Sequence, residues 1–383
     1  MPVRILIAPD KFKGALTGNQ AAEAIASGIR NVLPEAALDL CPIADGGEGF
    51  MATLAPALQG KWISCPSVDA LGREIESCYL LAETRDGRVA VIEMAETSGL
   101  WRLQENERDP MLTHTRGVGK QMLHAIQTYH VDKIVLGIGG SATNDGGCGM
   151  AQELGYHFLD AAGRELDATP AALASLTRID ASEVPPLPAI TVACDVDNPL
   201  LGERGATAVF STQKGSTEET RPLLEAFLNR LVQVTGANDA SLDPGAGAAG
   251  GLGFGLLHFT SARLVPGFDL LARLLDLKGR VAAADIVITG EGSIDHQSLS
   301  GKGPVGIARM GRAHGKTVVG FCGLADQAAR DSGEFDFLVA LADTGKSIPY
   351  LISHAADELA IAAAQPDLYD PDGRSELRPV GAR

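Results

Sequence analysis

Four segments of the chain pack acids, amides and lysines among glycines: Ala8-Pro-Asp10-Lys-Phe-Lys13-Gly14, Asp45-Gly-Gly-Glu48-Gly49, Gly139-Gly140-Ser141-Ala-Thr-Asn144-Asp145-Gly-Gly147 and Thr289-Gly290-Glu291-Gly292-Ser293-Ile-Asp295-His-Gln-Ser-Leu-Ser-Gly301-Lys302. Glycine lets backbone N–H groups come close to an oxyanion, and a helix that starts nearby adds partial positive charge. Carboxylates in the same place call for cations. Together these parts make the inventory of phosphoryl transfer: donors for phosphate oxygens, one or two lysines, carboxylates for Mg²⁺, and a carboxylate base that orients a hydroxyl nucleophile. Cys194-Asp195-Val-Asp197-Asn198 adds two more acids at i and i+2, on one face of the chain. No H-E-x-x-H pair, G-x-S-x-G elbow or spaced histidine cluster competes with this reading, and the eight His residues are scattered.

Something must bring these segments to one place, and strand ends can do it. Arg4 to Ala8 reads as a buried strand, and Thr17-Gly-Asn-Gln20 is a capping box that opens an Ala-rich helix ending near Pro34. Leu38 to Ile43 reads as a second strand, followed by the Asp45 segment and a helix to about Leu58. From Lys61 the texture changes. Ser64 to Val68, Glu76 to Glu83 and Arg88 to Met94 look like strands, the last two joined across Asp86-Gly87 as a hairpin. A helix from Thr115 to Tyr129 leads to a strand over Val131 to Leu136, and Ala189 to Cys194 reads as another. After Ala282 the βα texture resumes with strands at Asp285 to Thr289, Lys316 to Cys322 and Phe335 to Leu341.

The order predicts an α/β fold in which a Rossmann-like parallel-sheet domain (1–60 and 281–365) is interrupted by an inserted α/β domain (61–280), with 366–383 as a loose tail. Ligands of open α/β sheets bind outside the carboxyl ends of the strands, which places the acid and glycine segments at a cleft separating the two domains.

Composition narrows the function. With 383 residues, 45% of them hydrophobic, the chain can bury full cores. Thirty-two Lys and Arg against 48 Asp and Glu give a charge of −16, and no basic run appears, which argues against nucleic-acid and anionic-lipid partners. No window has the length of a membrane span. The six cysteines form no C-x-x-C pair, which fits a reducing, cytoplasmic setting.

Other motifs imitate different chemistry. Gly137-x-Gly139-x-x-Ala142 follows a strand, and Asp160 stands about twenty residues on, as in a dinucleotide-binding dehydrogenase. Against that, Thr143-Asn-Asp-Gly-Gly147 occupies the place of a first helical turn. Gly245-Ala-Gly-Ala-Ala-Gly250 has the same spacing but follows a loop; it reads either as a bare-backbone ligand cradle or as a flexible turn. Ala340-Leu-Ala-Asp-Thr-Gly345-Lys346-Ser347 resembles a phosphate loop without its first glycine, and Gly311-Arg-Ala-His-Gly-Lys316-Thr precedes a strand where such a loop must follow one.

The same segments carry a family resemblance. Ile7-Ala-Pro-Asp-Lys-Phe-Lys-Gly14, Ala44-Asp-Gly-Gly-Glu-Gly49, Gly137-Ile-Gly-Gly-Ser-Ala-Thr-Asn-Asp-Gly-Gly147, Ala193-Cys-Asp-Val-Asp-Asn-Pro-Leu200, Gly245 to Gly253, and Ile288-Thr-Gly-Glu-Gly292 with Asp295-x-Gln-Ser-Leu-x-Gly-Lys302 resemble the bacterial glycerate kinases, the glycerate 2-kinases, in order to about Leu341. Lys11, Phe50 and Lys120 depart from the residues frequent in that family. The resemblance implies ATP- and Mg²⁺-dependent phosphorylation of D-glycerate to 2-phosphoglycerate. In that setting Asp195 is the expected base, with Asp10 as its rival, and Lys13 neutralises the transferring oxygens. Asp45, Glu48 and Glu291 are the Mg²⁺ candidates. Gly139, Gly140, Ser141 and Asn144 are expected to donate to phosphate or carboxylate, as are Gly290, Gly292, Ser293 and Lys302. Phosphorylation of a related hydroxy acid such as erythronate, an NAD-dependent dehydrogenase and a non-catalytic binder of organic acids stay open as alternatives.

Overall fold

The computed structural model describes residues 2–44, 47, 49–85, 87–296, 298–300 and 303–369. In chain order the strands are β1 Arg4–Pro9, β2 Ala37–Leu40, β3 Lys61–Val68, β4 Glu74–Thr84, β5 Gly87–Glu93, β6 Lys133–Gly137, β7 His157–Leu159, β8 Arg178–Asp180, β9 Ala189–Ala193, β10 Arg263–Val265, β11 Ile286–Ile294, β12 Thr317–Ala325 and β13 Phe337–Ala340. The chain divides into two compact units, Met1–Ala44 with Leu271–Arg383, and Asp45–Leu270.

The first unit is built on a five-stranded sheet in the order β13-β12-β11-β1-β2, every pair parallel. Its strands are apolar on both faces because both are covered, the usual condition of a parallel sheet. On one face Ile5, Ile7, Ile288, Val319 and Phe321 pack with Ile25, Ile29 and Leu359. On the other, Cys322 and Ile294 pack with Val305 and Ala329. The helix Gly18–Val32 starts at a capping box in which Thr17 and Gln20 satisfy each other's backbone N–H. It lies close enough to helix Ala355–Ala363 that a Cβ on Gly28 would meet the carbonyl oxygen of Ala360 at 2.2 Å. Pro366–Tyr369 form a short 3₁₀ turn with Leu368 and Tyr369 buried, so the packed chain runs past the 365 boundary expected from sequence; 370–383 lie outside the described residues.

The second unit holds a six-stranded sheet, β10-β9-β6-β5-β4-β3. The first four strands are parallel; β4 and β3 are antiparallel additions, joined to β5 by the hairpin at Gly87. A separate cluster of Phe158, Leu173, Phe227, Leu231, Phe254 and Phe259 is organised around the helices Thr220–Thr235 and Ala248–Thr260.

Two features differ from the sequence expectation. The unit boundaries fall at 44/45 and 270/271, where the sequence order suggests 60/61 and 280/281; helix Phe50–Leu58 goes with the second unit because it packs on β4 and β5. In addition, β11 does not stop at Thr289. It continues through Gly290, Glu291, Gly292 and Ser293, because β12 keeps pairing with it as far as Ile294 and Ala325. Gly290 is required there: a Cβ would stand 1.9 Å from the carbonyl oxygen of Phe321.

Candidate active site

In the first unit, the last row shared by β1 and β11 pairs Pro9 with Gly290. Asp10 follows at once, its N–H donating to the Gly290 carbonyl at 2.8 Å, while its Oδ1 accepts the N–H of Lys11 at 2.6 Å. A Cβ on Gly303 would lie 3.9 Å from Asp10 Oδ2. The carboxylate therefore lies near the start of helix Gly303–Ala313, where the helix's partial positive charge stabilises an anion. Glu291 is half-buried one residue beyond the paired row, and Gly292 brings β11 against the Phe12-Lys13 backbone, with a Cβ position only 3.1 Å from the Lys13 N. Lys13 and Ser293 are exposed. Asp10, Lys13, Glu291, Gly292 and Ser293 thus share one carboxyl edge. Asp45, Glu48 and Lys302 lie outside the described residues.

The second unit has a similar edge. Glu93, Gly137, Ala193 and Val265 form one row across β5, β6, β9 and β10, and every chain leaves that row in the same direction. Beyond it, Gly139 is half-buried and Gly140 exposed. Among the described residues no backbone or side-chain group accepts from the N–H groups of Gly139, Gly140 or Ser141, although the Gly140 carbonyl is bound by Leu100 and the Ala142 N–H by Ser98. Three backbone donors on the carboxyl side of a parallel sheet suit an anion. Asp195 is half-buried past the end of β9, its Oδ1 accepting from the Gly267 N–H at 3.1 Å. Asp197 is exposed and paired with Arg204 at 3.1 Å.

Asn144 does not join these donors. It is fully buried, its amide donating to Thr207 Oγ1 at 3.3 Å. Asp145 is also an internal residue. Its carboxylate accepts from Thr115 N–H and Oγ1–H, both at 2.7 Å, from Gly149 N–H at 3.0 Å and from Gly147 N–H at 3.2 Å. These bonds tie the turn to the starts of helices Arg116–Tyr129 and Cys148–Glu153.

The alternative motifs resolve physically. Asp160 accepts from Ala162 N–H, Arg164 N–H and the Arg164 guanidinium, closing its own turn as an ordinary loop acid. Lys346 gives its ammonium to both oxygens of Glu358 at 2.7 Å. The Gly245 to Gly250 segment serves the chain's own backbone: a Cβ on Gly250 would meet the Thr143 carbonyl oxygen at 1.9 Å, and one on Gly247 the Pro199 carbonyl oxygen at 2.2 Å. Cys148 is fully buried, and burial holds its thiol well above the ordinary range.

Two charged residues at this edge escaped the sequence reading. Glu93 ends β5 almost fully buried and accepts from Gly49 N–H at 2.9 Å and Met51 N–H at 3.1 Å, serving the start of helix Phe50–Leu58. A single acid closing the apolar run Val89 to Ile92 was its only signal. Lys214 is buried at 1% exposure, with Nζ donating to the Thr143 carbonyl at 2.7 Å. Burial brings its ammonium down to about 7, opposed by the charge of Asp145. A lone lysine in a polar run carries no sequence sign of such burial.

Parallel α/β units with carboxylates at strand carboxyl ends, and with N–H groups there that find no acceptor among the described residues, define a class of proteins suited to binding small anionic molecules. Within that class the chain belongs to the glycerate kinase family, whose model matches residues 5–366. It is 44% identical over 330 residues to the glycerate kinase of Halalkalibacterium halodurans, covering 84% of this chain and 86% of that one. Against the glycerate 2-kinase of Escherichia coli it is 39% identical over 331 residues, covering 84% and 85%. A Salmonella typhimurium LT2 crystal structure, assigned provisionally as glycerate kinase 2, superimposes with a TM-score of 0.85 at 35% identity, over 98% of this chain and all of that one. The chain is therefore a kinase. Among the described residues no helix is long and apolar enough to cross a membrane.

Proposed function

We propose that this kinase transfers the γ-phosphoryl group of ATP in line to the 2-hydroxyl of D-glycerate, giving 2-phosphoglycerate. The observation that carries the reading is the row of N–H groups at Gly139, Gly140 and Ser141 that find no acceptor among the described residues, on the same strand edge as the half-buried Asp195. The position of transfer is supported by the name of the Escherichia coli relative.

Asp195 accepts the hydroxyl proton as the oxygen attacks phosphorus; its Oδ1 bond to Gly267 fixes the carboxylate, as a positioned base requires. Asp10 is the competing candidate. Gly139, Gly140 and Ser141 donate to phosphate or carboxylate oxygens, with Asn144 acting behind them through the backbone. The exposed Lys13 neutralises charge on the transferring group, and Gly290, Gly292, Ser293 and Lys302 are the further candidates for donating to its oxygens.

Carboxylate oxygens are the ligands Mg²⁺ prefers, and it needs only one or two of them beside phosphate oxygens and water. The half-buried Glu291, level with Asp10 one residue past the Pro9–Gly290 row, fits that demand, and Asp45 and Glu48 are the further candidates. Bound there, Mg²⁺ would supply charge neutralisation for the phosphates.

The test is ³¹P NMR of the purified protein with ATP, Mg²⁺ and D-glycerate, beside an Asp195→Asn variant. We expect 2-phosphoglycerate, lost on chelation with EDTA and slowed at least a hundredfold in the variant. Formation of 3-phosphoglycerate, or no product from glycerate, overturns the proposal; full activity in the variant transfers the base role to Asp10.

A further inference from the structure

The Gly137 to Gly147 turn has two sides. One carries the uncommitted N–H groups of Gly139, Gly140 and Ser141. The other is gripped from inside the second unit by one short segment. Helix Ala206–Phe210 supplies Thr207, whose Oγ1 accepts from Asn144, and the 3₁₀ turn Thr212–Lys214 supplies the Lys214 ammonium to Thr143. The segment is braced on itself: Ser211 Oγ–H reaches the Thr207 carbonyl at 2.6 Å and shares a bond with Ser216 Oγ at 2.7 Å. Lys214, Thr207, Thr143 and Asn144 are all essentially inaccessible to solvent. Thr143 Oγ1 and Asn144 Oδ1 have no partner among the described residues, so the interior of this turn is polar beyond what its own hydrogen bonds require.

A neutral donor would satisfy the Thr143 carbonyl with far less desolvation than an ammonium. What the lysine adds is a long arm whose terminal nitrogen reaches the Thr143 carbonyl at 2.7 Å and ties the Thr212–Lys214 turn to it. Asp145, the nearby counter-charge, is already engaged by four donors.

We propose that Lys214 and Thr207 are positioning residues for phosphoryl transfer, which hold Thr143 and Asn144 so that the N–H groups of Gly139, Gly140 and Ser141 stay directed at an anionic oxygen. The inference rests on the assignment of an anion to this turn under the proposed function. It extends that assignment to two buried residues that do not touch substrate.

The experiment uses the full chain with Lys214→Met, which keeps length and removes charge and donor, and Thr207→Val, which removes only the acceptor for Asn144. Steady-state kinetics with ATP·Mg²⁺ and D-glycerate are combined with hydrogen exchange of the 139–141 amides, with and without each substrate. For Lys214→Met we expect a KM raised at least tenfold for the substrate that protects those amides in the parent protein, a KM within twofold for the other, and lost protection. Thr207→Val shifts the same KM several-fold. A folded Lys214→Met protein with kcat and both KM values within twofold of the parent overturns the proposal, even if its melting temperature falls, since a merely structural lysine would behave that way. Should Lys214→Met fail to fold, unchanged kinetics and protection in Thr207→Val overturn it. If the parent makes no phosphoglycerate yet ATP·Mg²⁺ or inorganic phosphate protects the amides only while Lys214 and Thr207 are intact, the functional reading fails and the positioning role stands.

Discussion

Gly250→Ala tests how the turn is held, and its effect can be worked from distances. Gly250 has φ +69°, and a Cβ there would stand 1.9 Å from the Thr143 carbonyl oxygen and 2.6 Å from Asn144 Cα. Both neighbours are backbone, so the turn itself must move by more than about 1 Å to reach tolerable contact. Gly236 is the matched control in the same unit, with φ +66° and nothing within 4 Å of its Cβ position. Alanine at either site carries the left-handed backbone cost of about 1–2 kcal/mol. Only Gly250→Ala adds overpacking, about 1–3 kcal/mol, for a total of roughly 2–5 kcal/mol against about 1–2 for the control.

The displaced backbone leads directly to Ser141, and misplacing a substrate-positioning group by about 1 Å can cost on the order of a hundredfold in rate. Urea unfolding followed by far-UV circular dichroism reads the stability difference, and kcat/KM for glycerate phosphorylation, measured well below each melting point, reads the second. Equal stability and equal kcat/KM in the two variants would refute the claim that Gly250 is glycine because the turn's backbone occupies its side-chain space.

Other outcomes follow from the same contacts. Glu93→Gln leaves one acceptor oxygen where a charged carboxylate serves Gly49 and Met51, and should lower stability by about 1–2 kcal/mol in urea titrations. Lys214 gives the protein a pH dependence with a definite sign. Its folded value near 7 lies below the ordinary 10.5, so from pH 7 to 10.5 the unfolded chain holds a proton that the native state does not, and this contribution to stability rises with pH. The slope is at most about 1.4 kcal/mol per pH unit; the difference in unfolding free energy of parent and Lys214→Met at pH 7 and pH 9 should show it, and a flat difference contradicts it. Thiol reagents should label Cys78 and Cys194 in the native protein and spare Cys41, Cys65, Cys148 and Cys322, which are buried; mass spectrometry of labelled peptides reads this, with fast labelling of Cys148 as the contrary result.

How much of this was legible in the sequence depended on how local the cause was. The Thr17 capping box and the apolar strands Arg4–Pro9 and Lys133–Gly137 are written in a few adjacent residues, and the antiparallel texture after Lys61 marks where the parallel pattern is interrupted. The run Gly290 to Ser293 reads as a turn because two of its four residues are glycine; that it remains strand depends on β12, which lies beyond a whole intervening helix. Likewise, the burial of Lys214 is decided by Thr143, 71 residues away.

The two glycine-rich motifs show why such spacing alone cannot assign chemistry. Both the Gly137 and the Gly245 segments remove side chains so that something may approach the backbone. At Gly139 to Ser141 the N–H groups find no acceptor among the described residues, whereas at Gly250 the approaching atom is the carbonyl of Thr143 in the other segment. The second motif therefore contributes to the first by shape: bare backbone at Gly250 lets the turn sit low enough for the Thr143 carbonyl to meet Lys214 on its inner side. A glycine pattern that looks like a ligand site can thus be the mould of one.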